Sequence, residues 1–312
     1  MYIKVYNSSI TIIVRVEYMN KIALFYNPVA GGGAFGSRLD DIVAFMQAEG
    51  MQVLLWRINN NQQLVSEMAS MDLSGFHTII AAGGDGTVHG VVNAMKKLDI
   101  NVPLGIFPVG TANDTARNLQ IPSDLKGYCK VITHGQTKAI DLGKVEDRYF
   151  INVASAGFMI DVAHKVNPKY KHVLGKGAYY LMGAMKFPEI KPFPLKFTVD
   201  GEAFQCNAYL FLLLNGRGAG GITEILPSAI MDDGLLDIMI IKDGSPVQLL
   251  STLKRKLAGE HLDDSVVIHV QGKQFMLETD ITIETDLDGE AGPAMPWKVD
   301  IINAGIEVRV PF

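Results

Sequence analysis

Apolar and polar positions follow two rhythms along this chain, and the rhythm changes near residue 140. Lys21 to Tyr26 is a short apolar run closed by Asn27-Pro28, the pattern of a buried strand entering a loop. Ser37 to Glu49 has helical spacing, with Leu39, Ile42, Val43 and Met46 on one face and Gly50 as the stop. A second strand is expected over Met51 to Trp56 and a second helix over Gln62 to Met71. A third strand over His77 to Ala82 is followed by glycines and a helix over Val88 to Leu98. A fourth strand over Leu104 to Pro108 precedes a loop and the helix Thr115 to Leu119, halted by Pro122. Strands alternating with helices predict an α/β domain with a doubly wound, mostly parallel sheet. Such sheets bind ligands in the crevice beyond the carboxyl ends of their strands.

Beyond residue 140 short strands dominate. They are expected at Ala139 to Val145, Tyr149 to Ser155, Lys196 to Val199, Ala208 to Asn215, Leu236 to Ile241, Ser265 to Val270, Gln274 to Leu277 and Ile281 to Thr285. Helical spacing returns only at Gly177 to Lys186 and Pro246 to Ala258. This pattern predicts an all-β-rich, sandwich- or barrel-like second domain. The expected division is 21–140 for the α/β domain and 141–312 for the β-rich one. The last strand, Gly305 to Val310, packs on either. Residues 1–20 are an extension before a start at Met19, or one more edge strand.

Composition narrows the function classes. The chain has 312 residues, 48% of them hydrophobic, which suits two cores better than one. A net charge of −5 argues against a general nucleic-acid binder, which needs a basic excess. Cys129 and Cys206 fit no metal spacing and read as free thiols of a reducing cytoplasm. The apolar runs Ile10 to Val16 and Tyr209 to Leu214 are far too short to span a bilayer. The N-terminal apolar stretch is broken by Arg15 and Glu17, unlike a signal peptide.

Candidate chemistry concentrates in three loops at one edge of the first sheet. Gly83-Gly84-Asp85-Gly86-Thr87 follows an apolar strand and opens a helix. Glycines let backbone approach a phosphate, and a helix start offers free N–H groups to an anion. Asp85 adds a carboxylate for Mg²⁺ or a nucleotide hydroxyl. The plain alternative is an ordinary strand-to-helix turn with Thr87 as N-cap. Asn27-Pro28-Val29-Ala30-Gly31-Gly32-Gly33 follows the first strand, and Pro108-Val109-Gly110-Thr111-Ala112-Asn113-Asp114 follows the fourth. Together the three form a phosphate cradle. None carries the Gly-Lys-Ser/Thr ending of a Walker A loop or the G-x-G-x-x-G dinucleotide fingerprint.

In this order, NPVAG, GGDGT and PVGTAND closely resemble the diacylglycerol kinase catalytic family, which includes sphingosine, ceramide and soluble bacterial lipid kinases. Ile140-Asp141-Leu142-Gly143, Leu174-Gly175-Lys176, Asp232-Asp233-Gly234-Leu235-Leu236-Asp237 and Asp288-Gly289-Glu290 extend the resemblance over nearly all of residues 21–312. GGDG alone is shared with NAD kinases and phosphofructokinases. The resemblance implies an ATP- and Mg²⁺-dependent kinase acting on a lipid hydroxyl, with diacylglycerol as the leading acceptor. Asn27 to Gly31, Gly84 to Thr87 and Thr111 would contact ATP. Asp288 or Glu290 would activate the hydroxyl, with the aspartate favoured. Asp233 would hold Mg²⁺ beside the carbonyls of Ile230 and Leu235, and Asp141 would join the acidic network. The chain departs from the family at Val88-His89-Gly90, where Leu-Asn-Glu is usual, and His89 is expected on the helix surface. It departs again at Arg57-Ile58-Asn59-Asn60-Asn61, where a threonine usually approaches the nucleotide.

Residues 164–196 carry seven lysines (165, 169, 171, 176, 186, 191 and 196) against the single acid Glu189, interleaved with aromatic and Met side chains. This stretch is a solvated basic face or a docking surface for an anionic membrane. The expected partner is a lipid at a membrane surface, with the protein cytoplasmic and peripherally attached and a homodimer as the default assembly. The competing readings are an NAD kinase and a catalytically silent lipid-binding regulator.

Overall fold

The computed structural model describes residues 2–7, 10–15, 20–33, 35–157, 191–244 and 266–312. The expected helices Gly177 to Lys186 and Pro246 to Ala258, and nearly all of the lysine-rich stretch, lie outside those residues.

Strands β1 (Tyr2–Asn7) and β2 (Ile10–Arg15) pair antiparallel with each other in a sheet of their own, so neither adds an edge to the large sheet. The α/β half follows. It comprises β3 (Asn20–Tyr26), α1 (Leu39–Ala48), β4 (Met51–Arg57), α2 (Asn61–Ala69), β5 (Thr78–Gly83), α3 (Asp85–Lys97), β6 (Leu104–Pro108), α4 (Asp114–Asn118) and α5 (Leu125–His134). Its four strands are parallel in the order β4-β3-β5-β6. β5 and β6 are buried along their whole length, as unbroken apolar runs between two helical layers must be.

Two departures from the expected elements matter for the site. Helix α3 begins at Asp85 instead of Val88, with Gly84 rather than Thr87 as the N-cap. Asp85, Gly86 and Thr87 are therefore the first helical turn. Helix α5 was missed because Gly127 and Thr133 depress its propensity. Its signal was Asp124, whose carboxylate accepts from Gly127 N at 2.8 Å, followed by Tyr128, Cys129, Val131 and Ile132 on the buried face.

The strand-rich half contains β7 (Gln136–Val145), β8 (Arg148–Phe150), β9 (Val153–Gly157), β10 (Phe193–Val199), β11 (Glu202–Leu214), β12 (Leu236–Lys242), β13 (Val267–Gly272), β14 (Gln274–Glu278), β15 (Thr285–Leu287), β16 (Glu290–Ala291) and β17 (Trp297–Val310). Among the described residues it is antiparallel except where β17 lies parallel to β6, Val308 opposite Leu104. The expected strand Tyr149 to Ser155 is interrupted at Ile151-Asn152, and the expected strand Ile281 to Thr285 forms only over Thr285–Leu287.

β17 joins the halves. Its start, Trp297 and Val299, is fully buried in the core of the strand-rich half, where Phe211 meets Trp297 edge-on at 5.7 Å. Its end, Ile306, Val308 and Val310, lies in the core of the α/β half. Each fully buried aliphatic or aromatic side chain contributes about 1.5–3 kcal/mol. One 14-residue strand is thus anchored in both cores.

Candidate active site

The three glycine loops converge at the carboxyl ends of β3, β5 and β6. They line a cleft of about 280 Å³ through Asn27, Val29, Ala30 and Gly31, through Gly84, Gly86 and Thr87, and through Gly110 and Thr111. Glycine is required where these loops touch. A Cβ on Gly110 would lie 2.4 Å from Gly84 Cα, and one on Gly31, at φ 59°, would lie 2.5 Å from Val109 O. Backbone packs directly on backbone, so the peptide groups form the wall of the cleft.

The other residues expected in the cradle support it from behind. Asn113, at φ 51°, clasps Gly110: its Oδ1 accepts from Gly110 N at 2.9 Å and its Nδ2 donates to Gly110 O at 2.9 Å. Gly83 ends β5 beneath the side chain of Thr87, where a Cβ would come within 2.1 Å of Oγ1. Pro28 sits in the turn before Gly31 and does not line the cleft. Asp85 turns sideways and accepts from Thr115 N at 3.1 Å. Burial, then the charges of Asp114 and Asp288, push its carboxyl up to about 6. It is a half-buried group of the first turn of α3, not an exposed loop acid.

The strand-rich half contributes Glu290. It is half-buried and lines the same cleft, the one acid among the described lining residues. A Cβ on Gly86 would come within 2.3 Å of Glu290 Oε1, so the glycine makes room for this carboxylate at the start of α3.

Asp288 does something else. Leu287 pairs with Glu290 across the two-residue turn Asp288-Gly289, with φ 54° and 93°. Two positive φ values give a tight primed hairpin, and the turn sends the two acids in different directions. Asp288 is 5% exposed. Its Oδ1 accepts from Asn152 N and Val153 N at 2.9 Å each. Its Oδ2 accepts from Ile151 N at 2.8 Å and faces His89 Nδ1 at 3.1 Å. A carboxylate has about four lone-pair sites, and all four are occupied. The expectation that Asp288 is the base is therefore corrected: it has no lone pair left for a substrate proton. The same contacts explain the break at Ile151-Asn152, whose N–H groups serve Asp288 instead of a neighbouring strand. The expectation of a surface His89 is corrected too, since His89 is 6% exposed.

The expected metal residues separate into two kinds. Asp141 is fully buried, with Oδ2 accepting from Gly234 N at 2.7 Å and Oδ1 from Ala304 N at 2.8 Å. It ties the Asp232 to Leu235 turn to the irregularity in β17 and does not present an open carboxylate. Asp233 is exposed. Its Oδ1 accepts from Leu235 N at 3.0 Å and its Oδ2 accepts from Gln271 Nε2 at 3.4 Å. Desolvation raises its carboxyl above the usual range, as do the charges of Asp237 and Asp141. Ile230 is exposed nearby in sequence. Among the described residues, no three His, Cys, Asp or Glu side chains form a metal cluster. An ion here would rest on one carboxylate with carbonyls and water, a set that suits Mg²⁺.

The sequence reading missed a layer of buried amides behind the cleft. Asn118 and Asn152 bond each other and Gly218 O, Asn215 Nδ2 donates to Asp141 O and Ile151 O, and Asp114 receives Gly221 N. Their only sequence signal is polarity at positions flanked by apolar strands, which loops share.

A parallel α/β sheet, a glycine-walled cleft and a carboxylate delivered from a strand-rich partner half fit a kinase of the two-domain, P-loop-free kind. The sequence model of the diacylglycerol kinase catalytic domain matches residues 21–145, and that of the YegS C-terminal NAD kinase beta sandwich-like domain matches 152–310. Diacylglycerol kinase of Bacillus subtilis (strain 168) is 31% identical over 294 residues, 94% of this chain and 97% of the relative. That of Staphylococcus aureus (strain JH9) is 30% identical over 288 residues, 92% and 91%. The crystal structure of a diacylglycerol kinase from Bacillus anthracis superposes with a TM-score of 0.78 at 29% identity, covering 94% of this chain and 98% of that one. The chain belongs to the diacylglycerol kinase family of lipid kinases.

Proposed function

We propose that this chain transfers the γ-phosphate of ATP, with Mg²⁺, to the hydroxyl of a lipid at a membrane surface, that the lipid is diacylglycerol, and that the product is phosphatidic acid. The observation that carries the proposal is the entry of Glu290 into the cleft built by the three glycine loops. Peptide N–H groups of the loops and of the α3 start receive phosphate oxygens. Glu290 takes the proton of the lipid hydroxyl as its oxygen bonds to the γ-phosphorus and the bond to the ADP oxygen breaks. Asp288 holds the turn beneath Glu290. Asp233, with the carbonyls of Ile230 and Leu235, would hold Mg²⁺. Bound there, Mg²⁺ would offset the negative charge that Asp233, Asp237 and Asp141 bring together.

The test is incubation with labelled ATP and a panel of diacylglycerol, sphingoid base, ceramide, phosphatidylglycerol and NAD, followed by product separation. Label in phosphatidic acid is expected. Label in another lipid would replace the acceptor, and label in NADP alone would overturn the lipid kinase reading. Among the described residues no helix is long and apolar enough to cross a membrane. The lipid is therefore proposed to be met at a surface, with the lysine-rich stretch 164–196 as the candidate contact.

A further inference from the structure

We infer that His89, donating from Nδ1 to Asp288, is a positioning residue: it fastens the turn that carries Glu290 to the helix that begins at the phosphate cleft. The inference rests on the reading of Glu290 as the base.

Asn93 packs beside the ring, and Asp288 fixes its donor. Tyr149 N–H donates to Asn93 Oδ1 at 2.9 Å, and Asn93 Nδ2 donates to Tyr149 O at 2.9 Å. This pair of bonds with one residue settles the amide orientation, because the flipped amide would set donor against donor and acceptor against acceptor. Asn93 Nδ2 also donates to His89 O at 2.9 Å and lies 3.3 Å from His89 Nε2. Both protons of that NH₂ are already given to Tyr149 O and His89 O, so Asn93 leaves Nε2 undetermined. The other ring nitrogen faces Asp288 Oδ2 at 3.1 Å, and a carboxylate there requires a proton on Nδ1. The His89 and Asp288 side chains are 7% and 1% exposed.

The coupling follows from where the four donors to Asp288 originate. Ile151, Asn152 and Val153 belong to the strand-rich half and hold the turn within it. His89 belongs to α3, one turn beyond Asp85. Among the described donors to this carboxylate it alone crosses from the nucleotide side. Asp-Gly suits the positive φ of this primed turn, and the donors around Asp288 fix it there. Three backbone donors maintain the turn; the imidazole sets where the turn stands relative to Gly86 and the cleft. Its loss should leave the fold and nucleotide binding in place and loosen the approach of Glu290. A misplacement of about 1 Å at a reacting group costs on the order of 10²-fold in rate.

The full-length protein, His89→Phe, His89→Asn and Glu290→Gln are compared for ATP binding by calorimetry, and for kcat and KM in lipid phosphorylation. His89→Phe keeps the volume and removes the donor. Its kcat should fall roughly 10- to 100-fold with KM for ATP unchanged. His89→Asn can place an amide N–H near the Nδ1 position and should restore most of the loss, a rescue that a purely space-filling histidine does not predict. In parallel, two-bond ¹H–¹⁵N correlation on wild-type protein reads the tautomer, with the His89 signal identified by its disappearance in His89→Asn. A protonated Nδ1 is expected. Wild-type kcat in His89→Phe beside an inactive Glu290→Gln would overturn the inference and leave the base standing. Full turnover in Glu290→Gln overturns the base assignment instead. A bare Nδ1 refutes the inference whatever the kinetics, and that measurement stands even where His89→Phe does not fold.

Discussion

The cleft of the α/β half and the junction around Asp288 use peptide groups in opposite ways. At Gly31, Gly84, Gly86 and Gly110 side chains are absent, the backbones touch, and the peptide groups wall the cleft that a phosphate would enter. At Asp288 and Asp141 the anion is the protein's own side chain, buried and saturated with backbone donors. The first arrangement leaves room for a ligand to supply the negative charge. The second consumes donors to build a rigid support. Two acids separated by a single glycine, Asp288 and Glu290, fall on opposite sides of this divide.

The contrast is broken most directly at Glu290. Glu290→Gln should reduce lipid phosphorylation on the order of 10²–10⁴-fold while leaving ATP binding and melting temperature near wild type, as product assay, calorimetry and thermal melting would show. A stable Glu290→Gln that still phosphorylates lipid at the normal rate would place the base elsewhere.

Asp288→Asn should move stability first. The amide cannot accept from all of the backbone donors around it, and the orphaned groups cost about 2–4 kcal/mol, visible as a lowered midpoint in denaturant. If Asp288→Asn unfolds with wild-type stability, the carboxylate is not the support described here.

Asp85 sharpens the comparison through pH. Its carboxyl, raised to about 6, binds its proton more tightly folded than unfolded. Stability therefore falls as pH rises from about 4 to about 6, and the deficit is complete above that window. Asp85→Asn should flatten this part of the stability-pH curve and stabilise the ligand-free protein at pH 7 by roughly 1–3 kcal/mol. An unchanged curve would mean that Asp85 ionises without strain.

The smallest effect is expected at Asp233. Mg²⁺ at ten times its dissociation constant would add about 1.4 kcal/mol to wild-type stability. Asp233→Ala should lose that increment, and equal Mg²⁺ shifts in both proteins would remove the ion from this turn.

Most of the α/β half was legible because its signals are local. Apolar runs ending in Asn-Pro or Gly-Gly mark β3 and β5, and parallel strands buried on both faces have little freedom to read otherwise. The glycine loops were legible for the same reason: a missing Cβ is written in the residue itself. The errors cluster where contacts are remote in sequence. Helix α3 started early because Gly84, not Thr87, ends the extended backbone. Tyr149 to Ser155 split because Asp288, more than 130 residues later, takes its N–H groups.

By itself the sequence determined the element types, the glycine loops and the pair of acids near residue 289, all of which depend on propensity, spacing and the absence of side chains. Only the tertiary structure decided which acid enters the cleft and that His89 faces Asp288. A two-residue turn with positive φ at both positions rotates neighbouring side chains apart, and a carboxylate is available for chemistry only where folding has not already supplied its donors. The second is a fact about groups brought together across about two hundred residues, and no local pattern records it.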